Sequence, residues 1–93
     1  MSFTYKVFNV IKTIPKGQVM TFKQVAKLAG NENAYRSIGN IIKKNPDLKN
    51  IPCHRVVKSN YTLSKNSIIN PKEQKKILIK EGVKFNKNKI IID

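Results

Sequence analysis

Apolar positions in the first third of the chain recur at helical spacing in two segments. Between Thr4 and Ile14 they recur every three or four residues, which predicts an amphipathic helix that Pro15 stops. A second helix is predicted from Thr21, because a threonine followed three residues later by Gln24 is a capping-box pattern. The apolar side of this helix consists of Phe22, Val25, Ala26, Leu28 and Ala29, and Gly30 follows as a left-handed cap.

A third helix is predicted to begin near Asn31 or Asn33, a few residues after the second. Ile38, Ile41 and Ile42 are its inward positions, Lys43 and Lys44 suit its last turn, and Asn45-Pro46 ends it. Two short helices across a tight turn, the second carrying positive side chains, are typical of a helix-turn-helix. Helical hairpins that bind nothing share this pattern, so it does not by itself establish DNA binding.

The second half of the chain predicts one more helix and little regular structure besides. A polar stretch, residues 58–67, lacks glycine entirely. A fourth helix then opens with Asn70 as its cap, Pro71 in its first turn and Glu73 three residues after the cap. Its common face consists of Gln74, Ile77, Leu78 and Glu81, and Gly82 closes it. The tail, with Phe85 and the run Ile90 to Ile92, is predicted to form a short strand.

Length and composition limit the class of protein. The 93 residues are enough for one domain, 1–93, and one cysteine allows no internal disulfide. One cysteine and one histidine cannot furnish a four-ligand zinc site, and no apolar run approaches the roughly 20 residues that span a bilayer. We therefore expect a soluble cytoplasmic protein without a metal. The net charge of +14 indicates a polyanionic partner such as nucleic acid, although part of the lysine excess is also expected of an AT-rich genome.

The lone cysteine, Cys53, lies among residues that suit a nucleophile. Such a cysteine is usually a small buried hydrophobe. Here Pro52 fixes the backbone before it, and the sole histidine, His54, follows with Arg55, one of only two arginines. A thiolate is the reactive form, and a neighbouring base or cation favours it. Because side chains of adjacent residues diverge on extended backbone, a water would have to bridge Cys53 and His54.

The segment Ile51-Pro52-Cys53-His54-Arg55-Val56-Val57 resembles the active-site heptad of the O6-alkylguanine-DNA alkyltransferases. The flanking segments agree in order and spacing. They are Ile14-Pro15-Lys16-Gly17 with Val19, Gln24-Val25-Ala26 through Ala29-Gly30-Asn31, Arg36-Ser37-Ile38-Gly39-Asn40, Asn45-Pro46 and Lys80-Glu81-Gly82. The resemblance implies a mainly α fold with small β elements, winged helix-turn-helix-like, as in the C-terminal domain of that family.

For DNA binding, the resemblance implies that the recognition helix enters the minor groove of duplex DNA. Arg36 would fill the gap left by a flipped O6-alkylguanine, and Gly39 would allow close approach to the DNA backbone, unless it serves helix packing instead. The other residues that we expect at the DNA are Thr21, Phe22, Tyr35, Ser37 and Asn40.

For chemistry, the resemblance implies that Cys53 attacks the alkyl carbon and is consumed, without a cofactor. His54 would take the thiol proton through a water, and Glu81 would hold that histidine. Asn45 would order the turn that leads to Cys53, and Pro52 and Arg55 would be structural. We expect a monomer associated with the nucleoid.

Three departures from the family pattern bear on these expectations. Phe22 stands where the family usually has a tyrosine whose hydroxyl donates to the leaving guanine. The family has a glycine-rich, tyrosine-containing loop at the position where this chain has Ser64 to Ser67. Within this segment, Lys65 is a candidate phosphate contact. Many members carry an additional N-terminal domain, so this chain is expected to be a minimal version.

Two other functions stay open from the sequence. An alkyltransferase-like sensor would bind O6-alkylguanine without transfer and recruit other repair, but such proteins commonly replace the cysteine with tryptophan. A helix-turn-helix regulator that reads the major groove would need several polar side chains on its recognition helix. It would also leave the segment around Cys53 unexplained.

Overall fold

The structure, a computed structural model, describes residues 2–45, 47, 49–63 and 69–92. Its helices are α1 (Phe3–Lys12), α2 (Phe22–Leu28), α3 (Tyr35–Ile42) and α4 (Pro71–Lys80). The strands are β1 (Met20–Thr21), β2 (Val56–Val57), β3 (Phe85–Asn86) and β4 (Lys89–Ile90). The predicted fold class, mainly helical with small β elements, is confirmed.

Local capping explains where the helices begin and end. Thr21 accepts a hydrogen bond from the Gln24 N–H while the Gln24 side chain accepts from the Thr21 N–H, so the predicted capping box is present. Gly30, at φ +104°, provides the predicted left-handed residue after α2. Asn70 caps α4 by accepting from the Lys72 N–H, with Pro71 in the first turn.

The third helix begins later than the asparagines predict. A 3-10 turn covers Glu32–Ala34, and the α-helix starts only at Tyr35. Asn31 contributes its backbone carbonyl, which accepts from the Ala34 N–H, and no side-chain cap bond. The three predicted inward isoleucines of α3 are buried.

Two hydrophobic clusters hold these elements together. The larger one joins α1, α2 and α3 and includes Cys53, while the smaller joins β2, α4 and the β3–β4 hairpin. Leu28 does not take part: it is 62% exposed, so its assignment to the apolar side of α2 was wrong. Val25, Ala26 and Ala29 around it are buried, so the core-facing side of this helix does not extend round to Leu28.

The β elements connect distant parts of the chain. β1 pairs in parallel with β2, with Met20 opposite Val56 and Thr21 opposite Val57, so the start of α2 lies beside the segment after Cys53. The predicted tail strand is instead an antiparallel hairpin of β3 and β4, and Ile91 and Ile92 beyond it are exposed. None of the described helices is long and apolar enough to cross a membrane.

Candidate alkyl-acceptor site and DNA-facing helix

Cys53 opens a 3-10 helix, Cys53–Arg55, which we call the cysteine turn. Its side chain is only 1% exposed and belongs to the larger core cluster. The turn is closed by the Arg55 N–H, which donates to the Pro52 carbonyl at 2.9 Å. The predicted nucleophile is therefore held in the protein interior, at the edge of a packed core.

Asn45 connects the end of α3 to the cysteine turn. Its Nδ2 donates to the Ile51 carbonyl at 2.9 Å and to Cys53 Sγ at 2.9 Å. Its Oδ1 accepts from the Asp47 N–H at 2.8 Å. Asn45 thus bonds the backbone before the cysteine turn and contacts the sulfur directly, while its role in ordering the turn stays a prediction. Pro46, predicted to end the helix, lies outside the described residues.

Burial raises the pKa of the Cys53 thiol from 9.0 to about 11. The hydrogen bond from Asn45 acts in the opposite direction and favours the thiolate, but it is the smaller effect. The thiol is therefore protonated near neutral pH. A reaction at this sulfur requires a group that removes the proton.

Glu81, at the end of α4, holds two side chains of the cysteine turn. Its Oε1 lies 3.0 Å from His54 Nε2, and its two oxygens accept from Arg55 Nε at 3.1 Å and Nη2 at 2.7 Å. The Arg55 guanidinium, with a smaller contribution from His54, lowers the pKa of Glu81. Since a carboxylate only accepts, the Nε2 N–H of His54 donates to Glu81, and Nδ1 is the ring nitrogen that takes no part in this contact.

Arg55, expected to be structural, makes hydrogen bonds to more than one segment of the chain. Besides Glu81 it donates from Nη1 to the Ile14 carbonyl at 2.8 Å. It thereby joins three segments that are far apart in the sequence: the turn after α1, the cysteine turn and the end of α4. A lysine could not make these contacts from one planar group.

His54 and Cys53 are adjacent in sequence, but their side chains have different partners. In the described part of the chain, no hydrogen bond joins His54 to the sulfur. The sulfur contacts Asn45, and the imidazole contacts Glu81. Proton transfer from Cys53 to His54 through a water stays a prediction.

Gly17 explains how the turn after α1 approaches this site. Its φ is +88°, and a Cβ atom there would lie 3.0 Å from the Glu81 carbonyl oxygen. Both the left-handed backbone and the close approach favour glycine. The turn after α1 can thus pack against the end of α4, next to the Glu81 carboxylate that binds His54 and Arg55.

The exposed residues of α3, Arg36, Ser37 and Asn40, form what we call the outer face of α3. Gly39 lies with them, and a Cβ atom there would meet nothing within 4 Å in the described structure. Helix packing therefore does not account for this glycine. The outer face is open to a large partner.

Tyr35 supports two cations beside this face. Its ring packs against the larger core cluster, Lys23 Nζ lies 5.1 Å from the ring centroid, and Arg36 Cζ lies 5.8 Å from it. Cations over an aromatic ring are attracted to it. Arg36 therefore has a preferred position on the protein surface without any bound DNA.

Thr21 and Phe22, both expected at the DNA, differ in the exposure of their side chains. The Thr21 side chain is 5% exposed and serves as the cap of α2, so it supports the helix rather than offering a free group. Phe22 is half-buried and packs against the larger cluster. The loop residues expected to replace the family loop, Ser64 to Ser67 with Lys65, lie outside the described residues.

Sequence reasoning missed one buried polar group at this site. Gln74 on α4 is 1% exposed, and its Nε2 donates to the His54 carbonyl at 2.8 Å. The only signal in the sequence was an amide on the apolar face of an amphipathic helix. In the described part of the chain, no group of three or more potential metal-binding side chains is found.

A helix-turn-helix that carries a buried cysteine beside a His–Glu pair defines a narrow class of protein. Residues 2–83 match the family described as 6-O-methylguanine DNA methyltransferase, DNA binding domain. This chain belongs to that family, whose members act in repair of alkylated DNA.

Individual relatives agree with this assignment. The chain is 38% identical over 84 residues to the DNA base-flipping protein of Escherichia coli and 35% identical over 83 residues to the methylated-DNA--protein-cysteine methyltransferase of Cricetulus griseus. Each match covers 88% of this chain, but only 63% and 40% of the respective relative. The chain thus spans less than two thirds of either relative.

Solved structures show the same fold. S. pombe Atl1, in complex with damaged DNA containing O6-carboxymethylguanine, superposes with a TM-score of 0.79 at 34% identity, covering 88% of this chain and 77% of that one. The O6-methylguanine-DNA methyltransferase of Pyrococcus kodakaraensis gives a TM-score of 0.75 at 31% identity, covering 89% and 47%.

Proposed function

We propose that this protein repairs O6-alkylguanine in duplex DNA by transferring the alkyl group irreversibly to Cys53. The observation that carries the proposal is the geometry around the sulfur. Cys53 Sγ accepts from Asn45, and His54 in the same turn is paired through Nε2 with Glu81 at the end of α4. A cysteine that served only as core filling would need neither partner.

The proposed reaction is a displacement at carbon. His54 takes the thiol proton through a water, and Glu81 stabilises the resulting imidazolium. The thiolate forms a bond to the alkyl carbon while the bond from that carbon to guanine O6 breaks. Its electron pair stays with the guanine, which then takes a proton from solvent, while His54 returns the thiol proton to solvent. The thioether is stable, so each molecule acts once and needs no cofactor.

Burial makes the base indispensable in this scheme. With a pKa of about 11, the thiol is deprotonated in only about one molecule in 10⁴ at pH 7. Hydrogen bonding by Asn45 lowers the cost of forming the thiolate, and a relay to His54 supplies the acceptor. A dry environment in turn leaves the thiolate poorly solvated and therefore reactive.

The outer face of α3 is the proposed DNA contact, placed in the minor groove. Arg36 is exposed and held near Tyr35, from where it would enter the stack and occupy the place of the flipped guanine. Flipping is required because the alkylated oxygen lies inside the base stack. Gly39 leaves room for a DNA backbone, and the +14 charge supports phosphate binding.

A second candidate is an alkyltransferase-like sensor that binds the lesion without transfer. Two observations favour it: Phe22 lacks the hydroxyl that would donate to the leaving guanine, and burial disfavours the Cys53 thiolate. We rank transfer first because the sulfur, Asn45 and the His54–Glu81 pair are all present. Either protein would work as a monomer, associated with the nucleoid in the cytoplasm.

The deciding experiment is the intact-protein mass after incubation with a duplex that contains one O6-methylguanine. Transfer predicts a gain of one CH₂ group, mapped to Cys53 and lost in Cys53→Ser. Lesion-selective binding with no mass change would identify a sensor. Sequence-selective binding that ignores the lesion would identify a regulator and reject both repair functions.

Salt dependence provides an independent check on DNA binding. Each phosphate neutralised by lysine or arginine contributes about −0.9 to the slope of log K against log salt. We expect a slope of several units for a 20-base-pair duplex probe. An affinity that does not change with salt would contradict DNA binding by this chain.

A further inference from the structure

Gln74 is a buried polar residue that the proposed reaction does not use. It lies on the inner face of α4 with 1% of its surface exposed, beside Leu78. Its Nε2 donates to the His54 carbonyl at 2.8 Å and lies 3.4 Å from the Val56 carbonyl. These two carbonyls belong to the cysteine turn and to the residue that caps it.

Gln74 and Glu81 hold the same turn from one helix. They are seven residues apart, or about 10.5 Å along the helix axis. Glu81 contacts the side chains of His54 and Arg55, whereas Gln74 contacts backbone carbonyls. His54 is therefore fixed through its imidazole and through its own carbonyl group.

A second amide holds the turn from the opposite end. Asn45, after α3, donates to the Ile51 carbonyl and to Cys53 Sγ, both before or at the start of the turn. Gln74, on α4, donates to carbonyls at and after its middle. The backbone that carries the nucleophile is thus held between two amide side chains from different helices.

The carbonyl oxygen of the Gln74 amide shows that burying this side chain lowers the stability of the fold. Its Oε1 is buried, and it has no hydrogen-bond partner in the described part of the chain. A buried acceptor without a partner is destabilising, and an apolar side chain of similar shape would avoid that penalty. What the amide contributes at this position is its donor.

We infer that Gln74 is a positioning residue, which holds the cysteine turn so that Cys53 and His54 keep the relative placement that transfer requires. The inference rests on the proposed function for its consequence in transfer, but the anchoring itself does not. Small displacements matter in such a site, since a shift of about 1 Å can reduce a rate by about 10²-fold.

The test uses Gln74→Met, which keeps the length of the side chain and removes both the donor and the acceptor of its amide. Its matched control is Lys76→Met on the same helix, where the lysine side chain is 77% exposed. Because the chain has one cysteine, alkylation by iodoacetamide measured by intact mass reports on Cys53 alone. We measure this rate against pH, together with the rate of methyl transfer from the duplex and the melting temperature.

We expect the native Gln74→Met protein to react with iodoacetamide about fivefold faster than wild type, because a loosened turn exposes the sulfur. The rate should level off at a lower pH, since water contact moves the pKa of Cys53 back toward its ordinary value. Methyl transfer should fall about tenfold while the melting temperature stays within about 5 °C. Lys76→Met should match wild type in all three.

Unchanged alkylation and pH dependence in Gln74→Met would overturn the anchoring, and changed alkylation with unchanged transfer would overturn the positioning role. If Gln74→Met does not fold, Gln74→Leu serves in its place, because it also removes the donor without burying a charge. If wild type transfers no methyl group, the proposed function fails while the iodoacetamide rates still decide whether Gln74 holds the turn.

Discussion

The two arginines of this chain lie in regions with contrasting construction. Arg55 is fixed by hydrogen bonds to both oxygens of Glu81 and to the Ile14 carbonyl, within the site that holds the cysteine. Arg36 is exposed on the outer face of α3, where its described partner is the ring of Tyr35. The side chains around Arg55 already have their hydrogen-bond partners within the protein. The side chains around Arg36 are exposed and would find further partners only in a bound molecule.

This contrast indicates where stability and DNA recognition can be separated. Changes at the cysteine turn should affect both folding and chemistry, because the same contacts serve both. Changes on the outer face of α3 should leave the fold intact and affect only DNA binding and transfer from duplex DNA.

Glu81→Gln should give the largest effect on the buried region. Loss of the charged contacts to Arg55 and His54 should lower the free energy of unfolding by about 2–3 kcal/mol and methyl transfer by about 10²-fold. Because the pKa of Glu81 is lowered in the folded state, its contribution is present above the ordinary value of 4.5 and is lost as pH falls below it.

Urea unfolding of Glu81→Gln between pH 3 and pH 7 measures this loss, and single-turnover transfer measures the rate. Glu73→Gln is the matched control, because that carboxylate lies on the same helix and is 62% exposed. Equal acid sensitivity of wild type and Glu81→Gln would show that Glu81 does not stabilise the fold.

Arg36→Ala should give the largest effect on the open region. Flipping a base costs a few kcal/mol, so losing the residue that occupies the gap should reduce transfer from duplex by about 10²-fold. Transfer from a free O6-alkylated base should stay within about twofold, and the free energy of unfolding within about 0.5 kcal/mol. Equal losses with both substrates would reject the assignment of Arg36.

The pH dependence of Cys53 alkylation distinguishes a buried from an exposed thiol. With the folded-state pKa near 11 and the ordinary value of 9.0, the native rate should still rise about tenfold per pH unit above pH 9. The rate for the urea-denatured chain should level off there. The folded state binds this proton more tightly, so the associated stability is present below pH 9 and is lost as pH rises through about 11.

Gly39→Ala should change stability and DNA binding in opposite directions. Its Cβ meets no described atom within 4 Å, so alanine should stabilise α3 by up to about 1 kcal/mol. The added methyl group on the outer face should weaken binding of the lesion-containing duplex about fivefold. Thermal unfolding and fluorescence anisotropy measure the two effects, and unchanged affinity would place the DNA elsewhere.

Phe22→Tyr should give the smallest effect. A hydroxyl that donates to the departing guanine is worth about 1 kcal/mol, so transfer should become about fivefold faster with little change in stability. Single-turnover kinetics on the duplex measure it. An unchanged rate would show that the missing hydroxyl does not limit transfer.

Helices and caps could be predicted from the sequence because they depend on neighbours within one or two turns. The capping box at Thr21 and the left-handed Gly30 are local devices, and both were found as predicted. The exposure of Leu28 and the late start of α3 at Tyr35 were not predicted, because they depend on which side of α2 the core covers and on the 3-10 turn before α3.

The sequence by itself determined the helical framework, the positive charge and the segment that carries Cys53, since each depends on residue type and short-range spacing. The family resemblance implied that Glu81 holds His54, 27 residues away, but only the tertiary structure showed that the same carboxylate also binds Arg55 and that Asn45 contacts the sulfur. It also decided that the thiol is buried and its pKa raised, and that Gln74 donates into the cysteine turn. Contacts between distant segments arise from packing of the helices around a shared core, which no local pattern specifies.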